Sequence, residues 1–229
     1  MLNNLSRRGR RNRKSEAIRN LVQETRLTRY DFIYPLFICD GVGIKQSIES
    51  MPDCYRLSMD LAVKQCQQVV QLGIQAVMLF FIIDEKLKDA YGSEALKKDQ
   101  VGCRAIRLIK EKCPDLCVMV DVALDPFSST GHDGVVKDGE ILNDETVEIL
   151  TGMALNYARA GADVVAPSDM MDGRVSAIRK VLDKHRFSNV SICAYSAKYA
   201  SALYGPFRDA LDSAPKFGDK KTYQMNPAN

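Results

Sequence analysis

The sequence lacks several features that would each assign it to a class of protein. No stretch approaches the ~18 consecutive apolar residues of a transmembrane helix, and no apolar segment follows the basic N-terminus as in a secretory signal. The seven cysteines are odd in number and include no C-x-x-C pair, so neither a disulfide framework nor a zinc knuckle is predicted. The two histidines, His132 and His185, lie too far apart in the sequence to suggest a histidine-rich metal site. We therefore expect a cytoplasmic protein with reduced thiols and no membrane association.

Positive charge is concentrated at the start of the chain. Lys and Arg number 32 against 29 Asp and Glu, which gives a formal net charge of +3. Residues 7–14 read RRGRRNRK and contain no acid, so the rest of the chain is mildly acidic. This pattern predicts a basic N-terminal arm, residues 1–28, joined to a globular body, residues 29–229. Nucleic-acid binding is an alternative function for such an arm.

Five apolar runs predict strands that are buried on both faces, because they are nearly continuous rather than alternating. They cover residues 32–38, 76–83, 117–124, 164–167 and 191–197. Helical patterns lie between them, at residues 59–72, 102–112, 144–160 and 174–184. Repeated units of this kind predict parallel strands joined by helices.

Details of the pattern favour a (β/α)₈ barrel over a doubly wound sheet. Gly73 and Gly161 each stand where a helix should end, about three residues before a strand. No G-x-G-x-x-G follows the first strand, and five strands are already present. A hairpin at residues 134–142, with Asp138-Gly139 as its turn, is predicted as a flap over the mouth of the barrel.

The length accommodates only part of such a barrel, which typically takes about 250 residues. The fifth strand ends near residue 197, so about five of the eight β/α units are expected. The remaining segment, residues 199–229, is predicted to be mainly a long loop that serves as an active-site lid. Its basic residues Arg208, Lys220 and Lys221 either are solvated charges or hold a substrate carboxylate.

Polar residues follow the apolar runs at the positions where a β/α barrel has its active site. They are Asp84, Asp121, Asp125, Ser168, Asp169 and Lys198. A lysine that is desolvated at a barrel strand has a lowered pKa, so its neutral amine can attack a ketone and form an imine. The alternative is a surface lysine at the start of a loop.

The other strand-end residues also have two interpretations. Asp121 and Asp125 either cap the following loop or bind a substrate ammonium or a hard cation. Ser168 and Asp169 either cap the next helix or contribute to the site.

Several long segments resemble porphobilinogen synthase, also called 5-aminolevulinate dehydratase. They are APSDMMDGRV at residues 166–175, YSAKYASALYGPFRDA at 195–210 and FGDKKTYQMNPAN at 217–229. RLTRYDFIYPLFI near the start and SMPDCYRLSMD at residues 50–60 fit the same family. The resemblance runs in order from Arg10 onward.

The resemblance implies condensation of two 5-aminolevulinate molecules to porphobilinogen, an early step in haem and tetrapyrrole synthesis. It implies a (β/α)₈ (TIM) barrel whose N-terminal arm wraps a neighbouring subunit, usually in a homo-octamer. The basic arm would then serve assembly, and no nucleic-acid partner is expected.

The family's motifs also imply roles for individual residues. Lys198 matches one of two Schiff-base lysines. Asp121 and Ser168 would hold a substrate amino group, and Arg208 and Lys220 would bind a substrate carboxylate from the lid. The residues implied to line or cover the pocket are Tyr204, Phe207 and Gln224.

The metal-binding segment departs from the zinc-dependent members. Where those carry three cysteines, this chain reads DVALDPFSSTGHDG, with Ala123, Asp125 and Asp133. Carboxylates suit magnesium and thiolates select zinc, so the chain resembles the zinc-independent branch, which magnesium stimulates, often from a separate allosteric site. Asp125 and Asp133 are candidate ligands of a weakly held cation, and the family's allosteric magnesium ligand has no counterpart here.

The family's second Schiff-base lysine, in a V-K-P segment, also has no counterpart in these 229 residues. We therefore expect that residues 1–229 alone do not form a stable, active enzyme. The alternatives are a non-catalytic assembly partner or relic of the enzyme, and an aldolase-type lyase that uses one Schiff-base lysine. The lid motif YGPFRDA disfavours the aldolase.

Overall fold

The computed structural model describes residues 6–229. Its strands are β1 (Ile33–Cys39), β2 (Lys45–Ser47), β3 (Tyr55–Ser58), β4 (Ala76–Ile82), β5 (Cys117–Val122), β6 (Val135–Lys137), β7 (Glu140–Leu142), β8 (Val164–Pro167) and β9 (Ser191–Ile192). Its α-helices are α1 (Glu16–Leu21), α2 (Met59–Gln71), α3 (Val101–Lys112), α4 (Asn143–Ala160), α5 (Arg174–Lys184) and α6 (Gly205–Leu211).

The main sheet has the strand order β2-β3-β1-β4-β5-β8-β9, and all of its pairings are parallel except that of β2 with β3. From β1 to β9 each parallel strand lies beside the one that precedes it in the β/α rhythm. This sequential order confirms the predicted β/α-barrel arrangement and not a doubly wound sheet, in which the order reverses.

Alternate side chains of the strands enter two apolar clusters, one on each face of the sheet. In β4, Leu79 and Phe81 pack toward the helices, whereas Met78 and Phe80 belong to the cluster on the opposite face. This two-sided burial is why the apolar runs are nearly continuous. Gly73 and Gly161 adopt φ values of 78° and 108° at the ends of α2 and α4, as predicted for helix C-caps.

The fifth predicted strand is shorter in the structure. β9 covers only Ser191–Ile192, although Cys193 and Tyr195 still donate backbone hydrogen bonds to Val165 and Pro167. Pro167 has no N–H to donate in return, so the ladder ends there. The chain then leaves the sheet and carries Lys198 toward the lid.

The β2–β3 hairpin and the helical structure of the lid are among the elements that were not predicted. The β2–β3 hairpin escaped prediction because its first strand, Lys45–Ser47, is polar and fully exposed. The lid, predicted as mainly a loop, contains a 3₁₀ turn at Ala202–Tyr204 and α6 at Gly205–Leu211. Pro206 occupies the first turn of α6, where a missing N–H costs nothing.

The β6–β7 hairpin is confirmed, but its position differs from the prediction. Asp138 and Gly139 have φ values of 52° and 84°, as a two-residue hairpin turn requires. The backbone N–H of Val135 donates to Thr146 Oγ1 of α4 at 2.9 Å. Glu140 lies beside the loop after β8 and not over the cavity that contains Lys198. The hairpin therefore flanks the mouth and does not cover it.

Residues 6–28 lie outside the packed body, and all are exposed except the half-buried Ile18. The Ser15 hydroxyl accepts a hydrogen bond from the N–H of Ile18 and caps α1. None of the helices in residues 6–229 is long and apolar enough to cross a membrane. All seven cysteines are free.

We predict that Leu79→Ala lowers the free energy of unfolding by about 2–5 kcal/mol, because Leu79 is fully buried in a central strand and leaves a cavity. Urea denaturation measures the change. Leu72→Ala, at a position 68% exposed, is the matched control and should change stability by less than about 0.5 kcal/mol. Equal effects of the two substitutions would contradict the packing described for β4.

Candidate active site

A cavity of about 250 Å³ lies at the carboxyl ends of β4, β5 and β8, beneath the lid. It is lined by Phe80, Asp121, Asp125, Ser168, Tyr195, Lys198, Tyr204, Phe207, Arg208, Leu211, Ser213, Lys220 and Gln224. Every residue to which the family's motifs assign catalysis or substrate binding is among them. The remaining candidate, Asp133, contacts two of the lining residues. Below, this space is called the Lys198 cavity.

The Lys198 side chain is 11% exposed, and its ammonium lies among carbonyl and carboxylate oxygens. Its Nζ donates to the carbonyl oxygen of Ser168 at 2.7 Å, lies 3.6 Å from Asp133 Oδ1, and is 5.6 Å from the ring centre of Tyr204. Burial alone lowers the pKa of Lys198, but the nearby carboxylates, led by Asp133 and Asp125, outweigh it and raise the pKa. The expected lowering is therefore wrong for this structure, in which Lys198 is an ammonium.

Lys220 supplies a second buried ammonium from the lid. Its Nζ lies 3.1 Å from Asp133 Oδ2 and 3.6 Å from Asp125 Oδ2, and the residue is only 4% exposed. Although burial would raise the pKa of Asp133, Lys198 and Lys220 hold it below its usual value. Burial and the charge of Asp133 raise the pKa of Asp125 despite Lys220. The two ammonium groups thus share the carboxylates rather than pairing one to one.

Asp121, on β5, is the third acid of the cavity. Burial raises its pKa to about 7, and the Ser168 hydroxyl and Lys198 oppose that rise. Its Oδ1 is buried without a hydrogen-bond partner among the described residues. A carboxyl group with a pKa near neutrality can both take up and release a proton under physiological conditions.

The lid helix α6 is attached to the body by aromatic packing and by hydrogen bonds. Phe207 packs edge-on against Phe80, with ring centres 4.8 Å apart, and reaches Phe37 at 5.7 Å. Arg56 of β3 donates to the carbonyl oxygens of Asp209 and Ala210 near the end of the helix, where free carbonyls attract a cation. These contacts hold Arg208, on the same helix, at the cavity.

The structure does not arrange a metal centre at the proposed ligands. Asp125 and Asp133 face the ammonium of Lys220, which lies where a cation shared by the two carboxylates would be held. Within residues 6–229, no group of three or more His, Cys, Asp or Glu side chains is placed to hold a metal ion. Two carboxylates that already share the Lys220 ammonium have no place for a magnesium ion between them.

Three polar residues singled out in the sequence lie outside the cavity. Asp84 is exposed and caps a 3₁₀ turn, and Lys221 is exposed and pairs with Asp219. Asp169 is fully buried, accepts a hydrogen bond from Met171 N, and has its pKa raised to about 6 by burial.

Sequence reasoning missed four lining residues. They are Phe80, Tyr195, Leu211 and Ser213. Tyr195 could have been predicted, because it lies in the YSAK segment that also contains Lys198. The others have no signal beyond their position in a strand or in the lid.

Fold and cavity define a β/α-barrel chain with a lysine among carboxylates at the carboxyl ends of its strands. A family model described as delta-aminolevulinic acid dehydratase matches residues 6–229. Delta-aminolevulinic acid dehydratase 1, chloroplastic, of Arabidopsis thaliana is 55% identical over 228 residues, and the enzyme of Chlamydia pneumoniae is 52% identical over 225. The chain belongs to the delta-aminolevulinic acid dehydratase family.

A crystal structure of the Toxoplasma gondii enzyme, in complex with its reaction product porphobilinogen, superposes with a TM-score of 0.94 at 52% sequence identity. The match covers 97% of this chain and 64% of that chain. For the curated relatives, the match covers 99% of this chain and 53% of the Arabidopsis protein, and 98% of this chain and 68% of the Chlamydia protein. The chain therefore spans about half to two thirds of the length of the proteins that it resembles.

We predict that Asp121→Asn changes the pH dependence of stability. The pKa of Asp121 is about 7 in the folded state, against roughly 3.9 for an unperturbed Asp. The folded protein therefore loses stability as the pH rises from about 4 to about 7, by up to ~1.4 kcal/mol per pH unit. The variant lacks this loss. The free energy of unfolding of the variant, measured by urea denaturation, should therefore increase relative to that of the parent as the pH rises from about 4 to about 7. Parallel curves would contradict the prediction, and Asp84→Asn controls for loss of an exposed carboxylate.

Proposed function

We propose that this chain forms the Schiff-base site of a porphobilinogen synthase, a lyase that condenses two molecules of 5-aminolevulinate. The observation that carries the proposal is the largely buried Lys198 amine, which lines the cavity and is held between Ser168 and three carboxylates. The product-bound relative from Toxoplasma gondii supports the same substrate class.

Imine formation begins when Lys198 gives up a proton to a neighbouring base. Asp121, with its pKa near 7, is suited to accept that proton. The free amine then attacks the ketone carbon, the carbonyl oxygen takes up a proton, and loss of water leaves the imine. Protonation of the imine nitrogen restores a cation at the position of the original ammonium, so the same carboxylates stabilise it.

Substrate amino and carboxylate groups have separate candidate partners. Asp121 and the Ser168 hydroxyl line the cavity and suit an ammonium group. Arg208 also lines the cavity and forms no ion pair within residues 6–229, which suits it to a carboxylate. Lys220 is already engaged with Asp125 and Asp133, so it can bind a substrate carboxylate only by exchanging partners.

Membership of the family also supports proposals about assembly, location and magnesium. We infer a homo-octamer assembled through the basic arm, a cytoplasmic location, and magnesium stimulation from a site other than the Lys198 cavity. No step above uses a metal ion. The seven free cysteines are compatible with a reducing compartment.

We predict that borohydride reduction in the presence of 5-aminolevulinate labels Lys198. The reduced imine adds the mass of one substrate molecule minus one oxygen atom, which peptide mass spectrometry detects. Lys198→Met should abolish this label, because it removes the amine and keeps an apolar side chain of similar length. Lys221→Met, at the exposed neighbour of Lys220, is the control and should keep it. A label that persists in Lys198→Met would move the Schiff base to another lysine.

We predict that Arg208→Met weakens substrate binding at least tenfold, as expected for loss of a charged hydrogen bond of ~1.5–3 kcal/mol. The measurement is the 5-aminolevulinate concentration that gives half-maximal labelling of Lys198. Arg208→Lys keeps the charge and loses the two-pronged geometry, so an intermediate value is expected. If Arg208→Met labels at the parent concentration, the carboxylate is bound elsewhere.

A further inference from the structure

The loop after β5 is bound directly to the far part of the lid. Thr130 accepts a backbone hydrogen bond from Lys216 at 3.0 Å. Gly131, at φ 72°, lies so close to the Ala214 carbonyl that a side chain there would collide with it. We call residues 130–133 the docking loop. It holds a part of the lid that follows α6 in the sequence.

His132 makes the central contact of the docking loop and is only 2% exposed. Its Nε2 lies 3.0 Å from the carbonyl oxygen of Phe217, and its Nδ1 lies 3.2 Å from the Tyr223 hydroxyl. A carbonyl can only accept, so Nε2 carries the proton. Burial lowers the pKa of His132, so the ring is neutral and Nδ1 accepts from Tyr223. In the His132 ring, Nε2 therefore donates a hydrogen bond and Nδ1 accepts one.

Tyr223 connects this contact to the charged cluster. Its hydroxyl donates to His132 and accepts the backbone N–H of Asp133 at 3.3 Å. Lys220 lies three residues from both Phe217 and Tyr223, and its ammonium contacts the Asp133 carboxylate. Through these contacts, His132 and Tyr223 hold together the lid segment that carries Lys220 and the Asp133 residue that Lys220 contacts.

We propose that His132 and Tyr223 are positioning residues that hold the Lys220 ammonium on Asp125 and Asp133, and thereby set the charge around Lys198. This proposal depends on the proposed function only in the experiments that measure imine formation. The charged and titratable groups that face His132 are Lys220, Asp133, Asp219 and Tyr223.

The charge argument gives the direction of the effect. When the contact is lost, Lys220 leaves the cluster and the carboxylates near Lys198 lose one of their two cations. More uncompensated negative charge favours the protonated form of Lys198, because an opposite charge within about 4–6 Å stabilises an ion. The amine then becomes free only at higher pH.

The test is the pH profile of borohydride-trapped imine at Lys198, for the parent protein and for His132→Ala, Tyr223→Phe and Lys220→Met. Each variant should shift the rising limb upward by about one pH unit. His132→Gln, which keeps a donor for the Phe217 carbonyl, should shift it less. The control is His185→Gln, at the other and exposed histidine, which should leave the profile unchanged.

A double variant distinguishes positioning from general damage. His132→Ala combined with Lys220→Met should shift the profile no further than Lys220→Met alone, because both remove the same cation. Additive shifts, or labelling that falls equally at every pH, would overturn the proposal.

Hydrogen exchange at the Lys216 and Gln224 amides reports the lid without any imine chemistry. Both amides donate within this region, Lys216 to Thr130 and Gln224 to Lys220. Exchange should accelerate in both His132→Ala and Tyr223→Phe. Tyr223→Phe is the milder change and tests the proposal if His132→Ala does not fold. Unchanged protection in Tyr223→Phe overturns the proposal. If no variant forms an imine but exchange accelerates, the proposed function fails and the positioning role stands.

Discussion

The arrangement of the site depends on burying several charges together. A single buried charge is costly, and removing one partner from a buried pair leaves the other uncompensated. Lys220, Asp121, Asp125 and Asp133 are buried, and the Lys198 side chain is only 11% exposed. Each group is tolerated because the others are present. Lys198 and Lys220 are 22 positions apart in the sequence. The lid must therefore fold back over the strands before both positive charges lie beside the carboxylates.

The β/α scaffold makes this balance attainable. Parallel strands β5 and β8 end at one edge of the sheet, so Asp121 and Ser168 meet there although 47 positions separate them by number. The lid then adds its contribution through several attachments, which include the Phe207 aromatic contacts and the His132 hydrogen bonds. An attachment at each end limits how far Lys220 can move.

Strand order and candidate residues follow from the sequence because their signals are local. A continuous apolar run with a polar residue at its end identifies a strand and its position in the site. The pKa of Lys198 could not be obtained in this way. Burial of Lys198 could be foreseen and lowers its pKa. The negative charges that raise the pKa belong to Asp125 and Asp133, which lie 65 or more positions away in the sequence. The role of His132 depends equally on partners in the lid, with which it shares no local pattern.

A lysine between two carboxylates differs from a metal ion in one important respect. A metal ion bound by strand-end residues would neutralise Asp125 and Asp133 whether or not the lid is docked. Lys220 belongs to the lid, so it can do so only when the lid is in place. Because the field of these carboxylates also raises the pKa of Lys198, the protonation of the amine is coupled to lid docking. If Lys220 is held at the cluster as proposed, its charge lowers the tendency of Lys198 to keep its proton and so favours the free amine.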